Sequence, residues 1–213
     1  MTVLFVDLAS FTALTATMGD HMAVDILGRF STTVRASTGR CGGRIVKQIG
    51  DAFMLMFNRP ADAVEFGLEM DRFVQAESQF PALHIGAHHG TVLYREGDYV
   101  GATVNLAARV ASAGAAGNFL ITADLRDAVG DVVDADFVSL PPQRLKGIRD
   151  PICLIEVRRR GPERSNRPLD PVCGLLLGPG DVATQATWNG ITFAFCCELC
   201  KTAFTEDPAR FVS

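Results

Sequence analysis

The sequence lacks a long uninterrupted apolar run, since no hydrophobic segment approaches the roughly 20 residues that a membrane-spanning helix needs. It also lacks an excess of positive charge. The formal net charge is -4 at pH 7, which leaves no overall electrostatic footprint for wrapping nucleic acid. The first residues, MTVLFVDLASF, lack the basic region that opens a secretory signal. We therefore expect a cytoplasmic protein that binds neither membrane nor nucleic acid.

The composition is that of a folded protein with one unusual feature, the distribution of its cysteines. The chain has 213 residues, of which 48% are hydrophobic and 21% charged, enough for one substantial core with some chain to spare. Two of the six cysteines, Cys41 and Cys153, stand alone, and the other four fall in the last fifth of the chain. In a reducing compartment such a cluster is more often metal-binding than disulfide-forming. It indicates a second, smaller module.

Residues 1–157 alternate strand-like and helix-like segments. A helix over 20–34 is expected to bury Val24, Leu27 and Val34 on one face, and alternation over 83–88 predicts a half-buried strand. This mixed order predicts an α+β fold in which helices pack against a mainly antiparallel sheet. The predicted strands lie at 3–6, 44–49, 52–57, 83–88, 118–122, 137–140 and 152–157, and the predicted helices at 20–34, 60–74 and 103–113.

Two aspartates are candidates for a metal site. Asp7 follows an apolar strand, and Asp51 lies in a Gly-Asp turn between two strands, the spacing of a tight hairpin. Two carboxylates brought together in this way form a hard-oxygen site that suits Mg²⁺ or Mn²⁺. Each residue alone is also explained as a strand-end acid or an ordinary turn residue.

Four segments carry a resemblance to a known family. Phe5–Thr12 (FVDLASFT), Lys47–Phe57 (KQIGDAFMLMF), Asp98–Arg109 (DYVGATVNLAAR) and Leu145–Gly147 (LKG) resemble the catalytic domain of class III nucleotide cyclases over nearly all of residues 1–157. The resemblance implies a ferredoxin-like α+β sandwich. It also implies that Asp7 and Asp51 hold two Mg²⁺ or Mn²⁺ ions, which activate the ribose 3′-hydroxyl and neutralise the triphosphate.

Hydrogen-bond polarity favours adenine as the base. Adenine offers an acceptor at N1 and a donor at its N6 amine, which Lys47 and Asp98 complement as donor and acceptor. Guanine reverses this pattern. The resemblance therefore implies an adenylyl cyclase that binds ATP through these two side chains, although either residue alone is also explained as a surface charge.

Asn105 and Arg109 are four residues apart and share one face of the predicted helix. By the resemblance, Asn105 orients the ribose and Arg109 stabilises phosphate charge in the transition state. Because sites of this family lie between two catalytic domains and this chain has one, the resemblance implies a homodimer with two equivalent sites and an inactive monomer. The adjacent His88 and His89 are interpreted as structural, since they point to opposite faces of a strand.

A basic linker over residues 158–167 is predicted to separate the cyclase-like domain (1–157) from a tail over 168–213. The tail resembles a YHS domain through DPVCG, FAFCCELC and FTEDPARF. Cys173, Cys196 and Cys200 give the C-x22-C-x3-C spacing of a Zn²⁺ or Cu⁺ site. A fourth ligand is left open among Cys197, Asp170, water or none, and a metal-free finger packed by aromatic side chains is the alternative.

The sequence as a whole thus predicts an adenylate cyclase that makes cyclic AMP and pyrophosphate in intracellular signalling, with a metal-binding tail as a candidate regulator. Two alternatives stay open. One is a catalytically inactive domain that binds nucleotide and serves as a dimerisation platform for a metal-sensing tail. The other is a guanylyl cyclase.

Overall fold

The computed structural model describes residues 1–161 and 167–212, which form two compact units. The first unit contains Met1–Asp7, Thr32–Arg72 and the described chain from Leu83 to residue 161. The second contains Leu8–Ser31, Phe73–Ala82 and the described chain from 167 onward. Compact packing therefore does not follow chain order, because two early segments share a unit with the tail.

The predicted α+β fold is confirmed. In chain order the elements are β1 (Thr2–Leu8), α1 (Phe11–Met18), α2 (Asp20–Arg40), β2 (Arg44–Ile49), β3 (Ala52–Phe57), α3 (Pro60–Ala76), β4 (Phe80–Pro81), β5 (Leu83–His89), β6 (Leu93–Arg95), β7 (Asp98–Val100), α4 (Ala102–Ala111), β8 (Phe119–Thr122), α5 (Ala123–Val129), β9 (Ala135–Ser139), β10 (Leu154–Arg159), β11 (Leu175–Leu176), β12 (Thr184–Trp188), β13 (Ile191–Phe195) and α6 (Glu198–Glu206), followed by a 3₁₀ turn at Pro208–Arg210. Seven of the strands form one sheet in the order β2-β3-β1-β5-β8-β10-β9. The β5–β8 pair is parallel, whereas β1–β3, β2–β3, β8–β10 and β9–β10 are antiparallel.

In the first unit, α4 packs closely against the sheet. A Cβ atom at Gly86 would lie 2.0 Å from the Ala111 nitrogen, so the absence of a side chain there lets α4 approach β5. Ala107 of α4 also packs with Val3 and Met56 of the neighbouring strands. The prediction of a half-buried strand over 83–88 is therefore wrong in its burial: β5 is a central strand that is covered on both faces.

The buried face of α2 also differs from the prediction. Val34 is buried as predicted, but Val24 is 68% exposed and Leu27 is only partly buried. The buried face consists of Ala23, Ile26, Phe30 and Val34. These four residues follow the spacing i, i+3, i+7, i+11, one residue out of register with Val24 and Leu27. Periodicity alone did not distinguish the two adjacent stripes, because both carry apolar residues.

In the second unit, the tail forms a β12–β13 hairpin with α6 packed against it. The Phe204 ring of α6 lies 4.9 Å from the Phe193 ring and 5.2 Å from the Phe195 ring. A separate strand, β11, pairs with β4, placing Leu175 opposite Pro81. The hairpin and helix form an aromatic cluster, and β11 joins the tail to an earlier part of the chain within the same unit.

The predicted linker over 158–167 has structured ends. Strand β10 continues to Arg159, so the first two of these residues are strand, and Arg160 pairs with Asp134 and Asp136. At the other end, the Arg167 guanidinium donates to the Glu77 carbonyl at 2.7 Å. Residues 162–166 lie outside the described part of the chain. Among the helices described, none is both long and apolar enough to cross a membrane.

Candidate functional site

The candidate carboxylate site lies at the end of β1, beside the β2–β3 turn. Pairing of Val6 with Phe53 places Asp7 just beyond the paired residues and near the turn that carries Asp51. Burial, and secondarily the charge of Asp51, raises the pKa of Asp7 from 3.8 to about 7. Asp7 Oδ1 is buried without a hydrogen-bond partner among the described residues. The fold thus brings the two acids together and leaves one oxygen unsatisfied.

This donor set fits a divalent cation. Carboxylate oxygens are the ligands that Mg²⁺ and Mn²⁺ prefer, and a cation there would satisfy Asp7 Oδ1 and remove its repulsion with Asp51. A raised pKa means that a proton competes with the metal for Asp7 near neutral pH. The residues therefore fit the predicted metal, while the number of ions and their identity stay predictions.

Lys47 and Asp98 contact each other although they are 51 residues apart in the chain. Lys47 Nζ lies 2.5 Å from Asp98 Oδ2, and the two side chains are 35% and 41% exposed. The hydrogen bond from Lys47, and then one from the Tyr99 backbone N–H, holds the pKa of Asp98 below its ordinary value. The structure thus places a charged donor and a charged acceptor side by side and partly open to solvent.

Asn105 and Arg109 lie on the exposed face of α4. The opposite face of the helix buries Ala107 and Val110 against the sheet. The Asn105 and Arg109 side chains are available to a second molecule.

The cysteine cluster in the second unit contains Cys173, Cys196, Cys200 and Asp170, whose ligand atoms all lie within 4.8 Å of one another. The Sγ atom of Cys196 is 3.6 Å from that of Cys173 and 3.6 Å from that of Cys200. Thiolates bound about 2.3 Å from a tetrahedral zinc ion lie about 3.8 Å apart. The sulfur spacing therefore matches a tetrahedral metal site, and Asp170 supplies the one carboxylate of this group.

Asp170, one of the open alternatives for a fourth ligand, is completely buried. Its Oδ1 accepts hydrogen bonds from the backbone N–H groups of Val172 and Cys173, at 2.9 and 3.3 Å, and its Oδ2 accepts one from Cys196 at 2.8 Å. Asp170 thus holds both cysteine-bearing loops. Cys197 lies outside the four-residue group, although its Sγ is 3.7 Å from that of Cys196.

The surroundings of the Cys173 thiol favour its protonated form. The pKa of Cys173 is raised well above its ordinary value, mainly by its hydrogen bond with Cys196 and also by burial and the charge of Asp170. A bound cation would lower the pKa of the thiol, because the cation stabilises the thiolate form. The donor set of three sulfurs and a carboxylate fits Zn²⁺ by ligand type and spacing.

The two histidines agree with their structural interpretation. His88 Nδ1 lies 2.8 Å from Thr122 Oγ1, and His89 Nδ1 lies 3.0 Å from Thr2 Oγ1. Sequence reasoning missed Gly174, which follows Cys173 in the DPVCG motif and whose carbonyl accepts a hydrogen bond from the Ala82 N–H at 2.9 Å. The sequence shows Gly174 as the glycine of this motif, but no spacing pattern predicts which distant residue it contacts.

Comparison with known proteins gives two family matches. The model described as "Adenylate and Guanylate cyclase catalytic domain" matches residues 1–153, and the model described as "YHS domain" matches residues 169–213. The chain is 34% identical over 162 residues to "pH-sensitive adenylate cyclase MT1302" of Mycobacterium tuberculosis (strain CDC 1551 / Oshkosh), covering 75% of this chain and 41% of that protein. It is 31% identical over 145 residues to an adenylate cyclase of Glutamicibacter nicotianae, covering 68% and 35%. The chain thus spans less than half the length of these curated relatives.

Solved structures show the same fold. An adenylate cyclase from Trypanosoma brucei, described in its monomeric state, matches with a TM-score of 0.71 at 23% identity and covers 83% of this chain and 92% of that one. The adenylyl cyclase CyaB from P. aeruginosa matches with a TM-score of 0.64 at 23% identity, covering 76% and 96%.

Proposed function

Because the chain belongs to the adenylate and guanylate cyclase catalytic domain family over residues 1–153, we propose that it is an adenylyl cyclase that converts ATP to 3′,5′-cyclic AMP and pyrophosphate in intracellular signalling. The observation that carries the choice of ATP is the contact between Lys47 and Asp98. A donor and an acceptor held together complement N1 and the N6 amine of adenine, whereas guanine offers the reverse pattern.

Asp7 and Asp51 are the proposed ligands of two divalent cations. When bound, these ions would neutralise the charge of the triphosphate and lower the pKa of the ribose 3′-hydroxyl. The two carboxylates place their negative charges close together, which favours a cation between them. Asp7 Oδ1 has no hydrogen-bond partner among the described residues, which supports its role as a metal ligand.

Asn105 and Arg109 are proposed to serve the active site of a second copy of the chain. Their exposure on α4 supports this role, since a guanidinium that reaches another molecule can bind two phosphate oxygens through its planar fork. The first unit also exposes apolar side chains, including Leu93 and Tyr94 of β6 at 64% and 67% and Val100 of β7 at 41%. Such exposure supports a homodimer.

The YHS domain is proposed to bind Zn²⁺ or Cu⁺ through Cys173, Cys196 and Cys200 and to regulate the cyclase. The sulfur spacing of 3.6 Å and the buried Asp170 support metal binding. The raised pKa of the thiols argues that the cluster needs a cation to hold thiolates at neutral pH.

The test is to incubate the purified chain with ATP and Mn²⁺ or Mg²⁺ and to measure cyclic AMP, with Asp51→Asn as an isosteric control. Formation of cyclic AMP by the unmodified chain and not by the variant is the expected result. Turnover of GTP in place of ATP would identify a guanylyl cyclase. Nucleotide binding without either product would identify the catalytically inactive platform.

A further inference from the structure

The backbone of the loop that carries Cys173 is hydrogen-bonded, through Ala82, to the segment that follows β1. The Gly174 N–H donates to the Asp170 carbonyl at 2.9 Å, which closes the loop that carries Cys173. The Gly174 carbonyl accepts from the Ala82 N–H at 2.9 Å, and the Ala82 carbonyl accepts from the Ala9 N–H at 2.8 Å. All of these residues belong to the second unit, and they form a continuous chain of hydrogen bonds from the loop to Ala9.

Gly174 also fits tightly over the turn at Ala9. Its φ of +73° is a left-handed conformation that favours glycine, and a Cβ there would lie 2.7 Å from the Ala9 carbonyl oxygen and 3.3 Å from Ser10 Cβ. Ser10 itself has a φ of 54°, which is unusual for a residue with a side chain. Such a conformation persists when the surrounding structure holds it, and Gly174 is one of the groups that cover it.

Further bonds hold the loop in this place. β11, which begins directly after Gly174, pairs with β4, so Leu176 lies opposite Phe80. The Arg167 guanidinium donates to the Leu176 carbonyl at 2.5 Å and to the Glu77 carbonyl at 2.7 Å. The contact between Gly174 and Ala9 is therefore supported by a network of hydrogen bonds around the loop.

We propose that Gly174 is a positioning residue for the cyclase reaction: by covering Ala9, it fixes the end of β1 and so the placement of Asp7, two residues earlier in the chain. This inference rests on the proposed function, because it assigns Asp7 to a catalytic cation. Asp7 must meet that cation together with Asp51, and displacements of about 1 Å in a reacting geometry cost large factors in rate. Metal binding by the cysteine loop would restrict Gly174, and through it the turn at Ala9.

The first arm of the test compares Gly174→Ala with Gly190→Ala. Both glycines have left-handed φ values, +73° and +80°, but a Cβ at Gly190 meets nothing within 4 Å, so it controls for backbone strain alone. We expect Gly174→Ala to raise the Mg²⁺ concentration for half-maximal activity on the order of 10-fold, as changes that misplace metal ligands do. The KM for ATP at saturating Mg²⁺ should stay the same, and Gly190→Ala should leave both quantities unchanged.

A merely structural role would lower kcat in proportion to the folded fraction without moving the Mg²⁺ dependence. Equal Mg²⁺ dependence in the two variants would therefore overturn the proposal. Zinc content and thermal unfolding of both variants are measured in parallel, so that loss of the finger metal is detected separately.

The second arm needs no turnover and uses the unmodified full chain. Hydrogen exchange of the Ala9 and Ala82 amides is measured with one equivalent of Zn²⁺ and after chelation, with Cys200→Ser as the variant that disables the cluster. We expect Zn²⁺ to slow exchange at both amides in the unmodified chain only. The Ile152 amide, which donates to the Gln143 carbonyl at 2.9 Å in the first unit, serves as the internal reference.

The proposal would be overturned if Zn²⁺ binds to the chain but leaves the exchange rates of the Ala9 and Ala82 amides unchanged. If the chain makes no cyclic AMP but zinc still protects these amides, the proposed function fails and the link between the loop and β1 stands. If Gly174→Ala does not fold, the exchange arm decides alone.

Discussion

The carboxylate site and the cysteine cluster are both candidate metal sites, but they differ in completeness. The cluster gathers four donor atoms within 4.8 Å from one unit of one chain. The carboxylate site offers only the two acids Asp7 and Asp51 among the predicted site residues near it, while Arg109 lies on an exposed helix face. A closed donor set suits a structural or sensing metal, and an open one leaves room for substrate.

The largest expected effect tests whether the carboxylate site is completed by a second copy. Asp51→Asn and Arg109→Ala should each lower cyclic AMP formation on the order of 100-fold or more, because each removes a charged group that acts on the phosphates. A mixture of the two inactive variants should recover about one quarter of the unmodified activity, since half of the dimers are mixed and one of their two sites is intact.

The mixing experiment requires exchange of subunits, which co-expression provides. A mixture that stays as inactive as its components would show that all site residues act within one chain. The carboxylate site would then be complete within one chain, as the cysteine cluster is.

The second prediction concerns base recognition at the open site. Replacing Lys47→Glu together with Asp98→Cys removes the donor and the acceptor that complement adenine, so kcat/KM for ATP should fall on the order of 100-fold relative to that for GTP. The Mn²⁺ dependence should change little, because neither residue is a proposed metal ligand. An equal loss with both nucleotides would argue that the pair serves only as a surface ion pair.

The third prediction concerns the closed site. Cys200→Ser should weaken zinc binding on the order of 10- to 100-fold, because one buried thiolate is lost from the donor set. Cys153→Ser, at an exposed cysteine outside the cluster, is the matched control. Elemental analysis after dialysis measures the metal, and far-UV circular dichroism checks that the sheet is retained. Equal zinc content in both variants would contradict a metal site at the cluster.

The smallest expected effect is the pH dependence of stability without divalent metal. The folded protein raises the pKa of Asp7 from 3.8 to about 7, so the folded state binds more protons than the unfolded state between these values. The free energy of unfolding should therefore fall as pH rises from about 4 to 7, by about 2 kcal/mol after solvent screening is considered, and stay level above that range.

Asp7→Asn should remove this contribution, and added Mn²⁺ should reduce it, because a cation favours the charged carboxylate. Denaturant titrations at several pH values measure the effect. If the unmodified chain and Asp7→Asn have parallel profiles, Asp7 does not have a raised pKa in solution.

Local features were predictable from the sequence because they depend on short-range chemistry. The hairpin around Gly50-Asp51, the helix from Pro60 and the helix carrying Asn105 and Arg109 are all present. The predictions that were wrong concerned burial. Val24 is exposed and β5 is covered on both faces, since which apolar stripe is buried depends on the elements that pack against it.

The sequence by itself determined which residue types were available and how they were spaced: two acids at strand and turn ends, a donor and an acceptor for a base, and a C-x22-C-x3-C set. Only the tertiary structure decided which of them meet. It brings Lys47 to Asp98 across 51 residues, buries Asp170 among the cysteines, and seats Gly174 over Ala9. Turns and spacings follow from local backbone geometry, whereas these contacts follow from the packing of distant segments, which no local pattern encodes.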